Sequence, residues 1–260
     1  MLNEAQKQRY ARHLTLPEIG VEGQERLLKS RVLVVGAGGL GSPVLLYLIA
    51  AGVGAIDIVD SDRVEASNLQ RQVLHDTPGI GKPKVASAIE RLSALNPEIS
   101  IHAHACRFTL ENGTALAASC DVLVDCCDNA ETRQALNIVS LTTRLPLVSG
   151  AIHGFHGQLT TFKPHASPEA PCRCCVFPQD ATNTSTTKVE GPMGAIPGVI
   201  GALQAMETLK ELLGIGSGLM GRLLLYNGLE TSFQEIRLRR DPLCLCCADR
   251  ETRFPAQRVS

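Results

Sequence analysis

The segment at residues 36–41 reads GAGGLG, and Asp60 follows nineteen residues after its last glycine. The apolar residues 32–35 lead directly into this segment, which predicts a strand, a tight glycine turn and the start of a helix. Glycines let the backbone approach a phosphate, and the amides at a helix N-terminus face the anion. A carboxylate at the end of the next strand accepts hydrogen bonds from ribose hydroxyls. The spacing therefore predicts a nucleotide site that includes Gly36, Gly38, Gly39, Gly41 and Asp60.

The connection that follows Asp60 contains charged side chains that a hydride-transferring site does not need. Asp62, Arg71 and Lys84 all lie in it. In a redox dinucleotide site the backbone amides hold the pyrophosphate. A site that cleaves a triphosphate needs cations, because negative charge builds on the phosphoryl oxygens in the transition state. Arg71 and Lys84 are therefore candidate catalytic cations, although each of them alone also fits a solvated surface position.

Asp128 and Asn129 follow another predicted strand, at residues 121–125. In an open α/β sheet, ligands bind beyond the carboxyl ends of the strands, so we expect both side chains to face the same crevice as Asp60. A carboxylate beside a triphosphate is most simply a Mg²⁺ ligand. Asp128 also fits the N-cap of a helix over residues 130–144, and the two roles are compatible.

The chain contains ten cysteines, and six of them form two clusters, at residues 172–175 and 244–247. Each cluster contains a C-x-x-C pair, the spacing at which two thiolates bind one tetrahedral zinc ion. Separate redox pairs are the alternative. Because Cys174 and Cys246 add a third thiol to each cluster, either of them can replace a neighbouring ligand. We expect a structural Zn²⁺ that joins the two segments through Cys172, Cys175, Cys244 and Cys247.

Composition limits the classes of function. The chain has 260 residues, of which 44% are hydrophobic, and a formal net charge of −1, so it can bury a large core. No apolar run approaches the roughly 20 residues that cross a bilayer. The polar N-terminus lacks the apolar segment of a signal peptide, so we expect a cytoplasmic protein without membrane contact. The balance of 25 basic and 26 acidic residues and the 3% aromatic content argue against a nucleic-acid partner.

Short β-branched strands alternate with helices over the first 150 residues, which predicts a Rossmann-like, doubly wound and mostly parallel sheet. Residues 1–29 are expected to form an N-terminal helical arm. Strands are expected at 31–35, 55–60, 99–104, 121–125 and 146–150, and helices at 40–51, 82–95 and 130–144.

The alternation of strands and helices ends after residue 156. Strands expected at 157–163, 221–227 and 231–238, with a helix at 197–213, predict an antiparallel C-terminal extension of the same sheet. Residues 164–192 are rich in Pro, Ser, Thr and Asn, which indicates a mobile crossover loop over a ligand. Residues 248–260 are expected to form a loose tail. One domain over residues 1–260 is the simplest organisation.

These motifs together resemble the ThiF/MoeB/HesA family of ubiquitin-activating-type adenylyltransferases, and within it the molybdopterin-synthase adenylyltransferase type. The resemblance runs from about residue 10 to residue 247 and includes no rhodanese-like extension. It rests on the GAGGLG turn, the Asp60-Ser61-Asp62 segment, the SNLQRQ segment at 67–72, the GKPK segment at 81–84, the Asp128-Asn129 pair and both C-x-x-C pairs.

The resemblance implies ATP-dependent adenylylation of the C-terminal Gly-Gly carboxylate of a small ubiquitin-like sulfur carrier, giving an acyl-adenylate and pyrophosphate, for molybdopterin or thiamine-type sulfur transfer. It also implies that Arg12 reaches into a neighbouring subunit's site in a homodimer, although Arg12 equally fits an ordinary surface position. Motif and resemblance together assign ATP, and Mg²⁺ through Asp128, to Gly36, Gly38, Gly39, Gly41, Asp60, Asp62, Ser67, Asn68, Leu69, Gln70, Arg71, Lys84, Asp128 and Asn129.

The chemistry fits this assignment. A carrier carboxylate is already ionised near neutral pH, so its attack on the α-phosphate needs no general base. The protein must instead align two anions and neutralise charge on the α-phosphate and the leaving pyrophosphate. The predicted catalytic residues are accordingly Arg71, Lys84, Asp128 and Arg12.

One departure from the family pattern bears on sulfur delivery. Many relatives carry a cysteine in the mobile loop, and in the ThiF type it forms a covalent link to the carrier, but no cysteine lies between Cys175 and Cys244 here. We therefore expect an activator that leaves sulfur delivery to another protein, such as a cysteine desulfurase or a rhodanese. Cys126 and Cys127 are interpreted as packing residues.

Three other functions remain open from the sequence. A nicotinamide-dependent Rossmann oxidoreductase uses the same glycine turn but explains neither the cations nor the cysteine clusters. An inactive partner of a heterodimer is disfavoured by the intact Arg71, Lys84 and Asp128. A tRNA threonylcarbamoyladenosine dehydratase-type member of the family is disfavoured by the absence of a basic patch.

Overall fold

The computed structural model of the chain describes residues 1–178 and 191–248. Within them, eight strands form one sheet. The strands are β1 (Arg31–Val35), β2 (Ala55–Val59), β3 (Ser100–His104), β4 (Val122–Asp125), β5 (Leu147–His153), β6 (His156–Phe162), β7 (Arg222–Asn227) and β8 (Ser232–Arg237).

The helices of the described residues cover both faces of this sheet and precede it at the N-terminus. They are α1 (Glu4–Arg9), α2 (Ala11–Leu14), α3 (Gly20–Lys29), α4 (Gly41–Ala51), α5 (Lys84–Leu95), α6 (Leu110–Ala117), α7 (Ala130–Thr143), α8 (Arg173–Val176) and α9 (Ala195–Leu213).

The strand order is β3-β2-β1-β4-β5-β6-β7-β8. The neighbours from β3 to β5 pair in parallel, and β5 to β8 pair antiparallel. The prediction of a Rossmann-like, mostly parallel sheet with an antiparallel C-terminal extension is therefore confirmed. Helices α4 to α7 make the crossovers between the parallel strands, as the alternation of elements requires.

The sequence did not indicate α6. This helix is short and contains Gly113, which lowers its intrinsic helix propensity. The glycine is required by packing, because a Cβ at this position would lie 2.7 Å from the Phe108 ring and 2.8 Å from Val139. Thr109 and Asn112 form a capping box at its start, so side-chain capping compensates for the weak propensity.

The alternation of side chains along β1 divides the core between two layers. Val32 and Val34 are fully buried on the face covered by α4, α5 and α9. Leu33 and Val35 are buried on the opposite face, against side chains of α6 and α7. A strand buried on both faces needs a continuous apolar run, as β1 has, and each such side chain contributes about 1.5–3 kcal/mol by leaving water.

Helix α9 braces the carboxyl ends of β4 and β5. Gln204 is fully buried, and its amide donates a hydrogen bond to the Asp125 carbonyl at 2.8 Å. Gly201 allows the close approach of α9 to α4, because a Cβ there would lie 2.4 Å from the Pro43 ring.

The long connection from β2 to α5 contains two short 3-10 turns, Ala66–Asn68 and Thr77–Gly79, and is held against the β1–α4 turn by His75. Nε2 of His75 is 2.8 Å from the Ala37 carbonyl, and Nδ1 is 2.9 Å from the Ser87 hydroxyl. Since the carbonyl only accepts, Nε2 carries the proton and Nδ1 accepts from Ser87. Burial lowers the pKa of His75 below its usual 6.5.

Two expectations involve residues that the structure does not describe. The crossover loop expected at 164–192 includes residues 179–190, and the tail expected at 248–260 includes residues 249–260, neither of which the structure describes. Over the described part of the chain, no helix combines the length and apolar character that spanning a bilayer requires.

His75 makes folding stability depend on pH in a definite direction. Because its pKa is lower in the folded state, the unfolded chain takes up the proton first as pH falls, so this stabilisation is present above pH 6.5 and is lost below it. We expect His75→Leu to lower the free energy of unfolding by roughly 1–3 kcal/mol at neutral pH, because two buried groups lose their partner. Urea unfolding between pH 5 and pH 8 measures both effects.

The matched control is His102→Gln, which changes an exposed histidine on β3. We expect the control to keep the decline of stability below pH 6.5, whereas His75→Leu should reduce it. An undiminished decline in His75→Leu would contradict the assignment to His75.

Candidate active site

A cavity of about 640 Å³ opens at the carboxyl edge of the sheet, between β1 and β4. The chain leaves β1 toward β2 on one side and returns on the other side through β4, so this is the topological switch point of the sheet. Val35 is in register with Val59 on β2 and with Asp125 on β4, which brings the three strand ends to the same level. Ligands of open α/β sheets bind at this position.

The glycine turn lies at the floor of the cavity. Gly36 has φ +101°, and a Cβ at this position would lie 2.6 Å from the Cys126 carbonyl oxygen. A Cβ on Gly41 would lie 2.0 Å from the Gly36 carbonyl oxygen. Larger residues are therefore excluded at both positions, and α4 begins directly against the end of β1. Gly36, Gly38 and Gly39 line the cavity, whereas Gly41 shapes the turn from below.

Asp60 connects the end of β2 to the glycine turn. Its carboxylate accepts hydrogen bonds from the Ala37 amide and from the Asp62 amide, both at 2.8 Å. Both Asp60 and Asp62 line the cavity. The carboxylate thus fixes the distance between β2 and the turn and remains at the cavity wall.

Lys84 presents a buried ammonium group at the same wall. Its side chain is 7% exposed, and Nζ lies 2.8 Å from the Asp62 carboxylate and 4.0 Å from that of Asp60. An ammonium group with little solvent needs an anion close by. In this structure the two aspartates supply the charge, and a phosphate in the cavity would compete for the same cation.

Arg71 reaches the cavity from the loop after β2. A Cβ built on Gly39 would touch the Arg71 side chain at 3.7 Å, so the stem of Arg71 lies next to the glycine turn. Nη1 donates a hydrogen bond to the Ser67 carbonyl at 3.0 Å. The guanidinium, held at one nitrogen and lining the cavity, has further donors for an anion.

Asp128 and Asn129 have separate roles at the end of β4. The Asn129 side chain accepts a hydrogen bond from the Thr132 amide at 2.9 Å and is the N-cap of α7. Asp128 is exposed and lines the cavity. The expected N-cap role therefore belongs to Asn129, and the Asp128 carboxylate is left facing the cavity.

A buried network holds this strand end in place. The Asp125 carboxylate is fully buried and accepts from the Cys127 amide at 3.1 Å and from the Ser149 hydroxyl at 2.7 Å. Its carbonyl accepts from Gln204 of α9. Because Asp128 follows three residues later, its position depends on this network.

Several cavity residues were not assigned from the sequence, among them Gln72 and Arg133. Gln72 Oε1 and Arg133 Nε are buried atoms without a hydrogen-bond partner among the described residues, and both side chains line the cavity. Buried polar atoms are normally satisfied, so Gln72 Oε1 indicates a polar ligand, whereas Arg133 Nε already lies 3.8 Å from a carboxylate oxygen of Asp125. Gln72 could have been found from the sequence, because it directly follows Arg71. Arg133 could not, because it reaches the cavity from one face of α7, and the positions of the strand ends do not predict which face of a helix points there.

Besides Gly41, four residues of the predicted nucleotide set do not line the cavity in this structure: Ser67, Asn68, Leu69 and Gln70. They form the turn that delivers Arg71. The Asn68 carbonyl accepts from the Arg71 and Gln72 amides at 3.1 and 2.9 Å, so the segment acts on the cavity through its backbone.

Arg12 lies away from the cavity of its own chain. It is exposed on α2, next to Tyr10, whose ring packs under Gly52. Gly52 ends α4, and the glycine turn precedes the start of the same helix. Since α4 has 11 residues, these two ends are about 16 Å apart.

Cys126 and Cys127 line the cavity but are buried. Burial, and next the nearby Asp125 carboxylate, raise the pKa of both thiols well above the usual value. Since the thiolate is the nucleophile, the raised pKa values disfavour a nucleophilic role for either thiol.

The two cysteine clusters meet beside α7. The Sγ atoms of Cys172, Cys175, Cys244 and Cys247 all lie within 4.8 Å of one another. The Cys172–Cys175, Cys172–Cys244 and Cys175–Cys247 separations are 3.8, 3.6 and 3.4 Å. We name residues 172–175 and 244–247 together the cysteine knuckle. Four convergent thiols at these separations can hold a tetrahedral metal ion.

Comparison with known proteins agrees with this geometry. A family model described as "ThiF family" matches residues 10–246. The sulfur carrier protein adenylyltransferase of Thermus thermophilus is 47% identical over 248 residues, covering 94% of this chain and 92% of that protein. The SAMP-activating enzyme E1 of Haloferax volcanii is 43% identical over 250 residues, covering 95% and 91%.

The adenylyltransferase and sulfurtransferase MOCS3 of Anopheles gambiae is 45% identical over 254 residues, and the chain spans 57% of its length. A crystal structure of E. coli MccB with ATP superposes with a TM-score of 0.76 at 21% identity, covering 94% of this chain and 75% of that one, which shows a shared fold. The chain belongs to the ThiF family.

Proposed function

We propose that this protein adenylylates the C-terminal Gly-Gly carboxylate of a small ubiquitin-like sulfur carrier, using ATP and releasing pyrophosphate. The observation that carries the proposal is the meeting of Arg71, Lys84 and Asp128 around the glycine turn in one cavity. It is supported by the 47% identity to a sulfur carrier protein adenylyltransferase over nearly the whole of both chains. We further propose that residues 1–260 form one adenylation domain.

In the proposed reaction a carboxylate oxygen of the carrier attacks the α-phosphorus of ATP. A new oxygen–phosphorus bond forms, the bond from the α-phosphorus to the bridging oxygen breaks, and pyrophosphate leaves with the electron pair. The carboxylate is ionised near neutral pH, so no proton is transferred. Catalysis then rests on alignment and on stabilising developing charge.

We assign contacts with ATP to charged and polar groups of the cavity. The glycine turn and the N-terminus of α4 face the phosphates with backbone amides. Lys84 exchanges its contact with Asp62 for a phosphate oxygen, and Arg71 donates to the α-phosphate or to the leaving group. Gln72 Oε1, a buried acceptor without a partner among the described residues, would accept a hydrogen bond from the nucleotide, and Arg133, paired with Asp125, lines the same cavity.

A Mg²⁺ ion fits the carboxylate of Asp128. This side chain lines the cavity, and Asn129 takes the N-cap position of α7, so the Asp128 oxygens stay available to a hard cation. When bound there, the ion would supply positive charge that offsets the charge of the phosphate oxygens.

The position of Arg12 supports a homodimer in which Arg12 serves the partner's site. The length of α4 separates Arg12 from its own cavity, so a catalytic Arg12 must act in a second copy of the chain. Closed two-fold symmetry is the usual arrangement of such pairs.

The cysteine knuckle fits a structural Zn²⁺. With zinc–sulfur bonds of about 2.3 Å, two sulfurs of a tetrahedral site lie about 3.8 Å apart, close to the 3.4–3.8 Å found here. All four positions are taken by thiols, which is typical of structural rather than catalytic zinc. The ion would join the segment before α8 to the segment after β8.

Sulfur delivery is proposed to belong to a separate cysteine desulfurase or rhodanese, because no cysteine lies between Cys175 and Cys244. A cytoplasmic location stays a prediction. The dehydratase and nicotinamide alternatives predict products other than an adenylylated Gly-Gly protein.

The first test removes a cavity charge. We expect Arg71→Ala and Asp128→Ala each to reduce carrier-dependent ATP–pyrophosphate exchange by at least about a hundredfold, because each removes a group that stabilises transition-state charge. The assay uses a panel of purified ubiquitin-fold proteins ending in Gly-Gly, and intact mass detects the added AMP group.

Arg91→Ala and Glu18→Ala are the matched controls, since both side chains are exposed and lie outside the cavity. Normal exchange in a folded Asp128→Ala protein would contradict the proposal. Nicotinamide binding without ATP binding would favour the oxidoreductase alternative.

The second test asks whether Arg12 acts between subunits. Arg12→Ala and Asp128→Ala, each of low activity alone, are unfolded together and refolded as a mixture. Random pairing gives one intact site per mixed dimer, so we expect about a quarter of the wild-type activity. A mixture no more active than the separate variants would show that Arg12 does not complete the partner's site.

The third test concerns the metal. We expect Cys172→Ser to lose bound zinc and to melt several degrees lower, because structural zinc binding contributes to folding free energy. Cys106→Ser, at a half-buried cysteine outside the knuckle, should keep its zinc. Elemental analysis and thermal unfolding measure both properties, and a zinc content unchanged in Cys172→Ser would exclude this ligand set.

A further inference from the structure

Two thiols of the cysteine knuckle do not belong to the four that can bind a tetrahedral metal ion. The Sγ atoms of Cys174 and Cys246 lie 2.6 Å apart, whereas the neighbouring sulfurs of the metal-binding set are 3.4–3.8 Å apart. A sulfur–sulfur bond is about 2.05 Å long. The two thiols are therefore already in close contact, with only a small displacement needed for a bond.

The surroundings of this pair differ from those of the metal-binding set. Cys174 and Cys246 are both half-buried, as is Cys175 of the metal-binding set, whereas Cys172, Cys244 and Cys247 are buried. A small thiol reagent in solvent therefore has access to the pair and much less access to most of the metal-binding thiols.

Two amide side chains of α7 hold the pair. Asn137 donates a hydrogen bond to Cys174 Sγ at 3.3 Å, and Gln134 donates to Cys246 Sγ at 3.5 Å. Cys174 in turn donates to the Gln134 carbonyl oxygen at 3.2 Å. The asparagine also accepts from the Arg173 amide at 2.9 Å, so the first cysteine cluster is fixed to α7 on the side that carries the pair.

We infer that Cys174 and Cys246 form a reversible disulfide, a redox site separate from the metal-binding thiols. The oxidant is a small-molecule disulfide such as oxidised glutathione. The thiolate of one cysteine attacks the reagent, giving a mixed disulfide and one reduced thiol. The second protein thiolate then attacks the protein sulfur of that mixed disulfide and releases the other thiol. Two protein thiols lose two electrons and two protons, and one glutathione disulfide becomes two glutathione molecules.

The disulfide would join the two segments of the cysteine knuckle whether or not a metal ion is bound. Cys174 and Cys246 are 72 positions apart in the chain, so a disulfide between them restricts the unfolded chain strongly. In the reduced protein a bound metal ion would join the two segments, which packing and the hydrogen bonds of Arg240 to the Pro168 and Cys247 carbonyls also hold together. In the oxidised protein we expect them to stay together when a chelator removes the metal.

The test equilibrates the purified full-length protein in glutathione buffers of increasing oxidised fraction. N-ethylmaleimide then blocks the remaining thiols, and peptide mapping locates the bond. We expect the wild type to lose two alkylatable thiols, to give a Cys174–Cys246 cross-linked peptide, and to recover both thiols with dithiothreitol. We expect its metal content to be unchanged by oxidation.

Variants identify the pair. Cys174→Ser and Cys246→Ser should each give no internal cross-link, whereas Cys106→Ser, at another half-buried cysteine, should behave as the wild type. The wild-type map decides the question even where a variant folds poorly. Absence of the cross-link in oxidised wild type, a cross-link to a metal-binding cysteine, or metal loss in step with oxidation would each overturn the inference.

Discussion

The site depends on one constraint: strands β1, β2 and β4 end side by side at the same edge of the sheet. Val35 is in register with Val59 and with Asp125, so the glycine turn, the acidic end of β2 and the Asp128 segment emerge at one edge. The buried Asp125, bonded to backbone and to α9, keeps this alignment fixed. A shift of one residue in β4 would exchange the side chains that its two buried faces present to the two core layers and would move Asp128 away from the glycine turn.

The charged side chains at this edge can exchange one ionic partner for another. Lys84 is buried with Asp62 and Asp60 as its anions, and an uncompensated ammonium in this position would be costly. A triphosphate brings negative charge to the same place. We therefore interpret the aspartates as partners that hold Lys84 in position before the nucleotide binds, with Asp62, the more exposed of the two, released first.

Much of the fold and the outline of the site could be predicted, because apolar runs mark buried strands and parallel strands place their following residues at one edge. The helix α6 could not, since Gly113 serves packing at the expense of helix propensity. Arg133 reaches the cavity through helix phase, which the motif did not define. The choice of zinc ligands stayed open because each cluster has three thiols, and the structure groups four of them while Cys174 and Cys246 face each other.

The most direct measurement is a crystal structure of the protein with a non-hydrolysable ATP analogue and Mg²⁺. We expect the phosphates to lie across the glycine turn between β1 and β4, with the metal on Asp128. The α-phosphate should lie beside Arg71 and Lys84, with one face open to a peptide terminus. A nucleotide bound elsewhere, or an α-phosphate enclosed on every side by protein, would contradict the proposed attack by a carrier carboxylate.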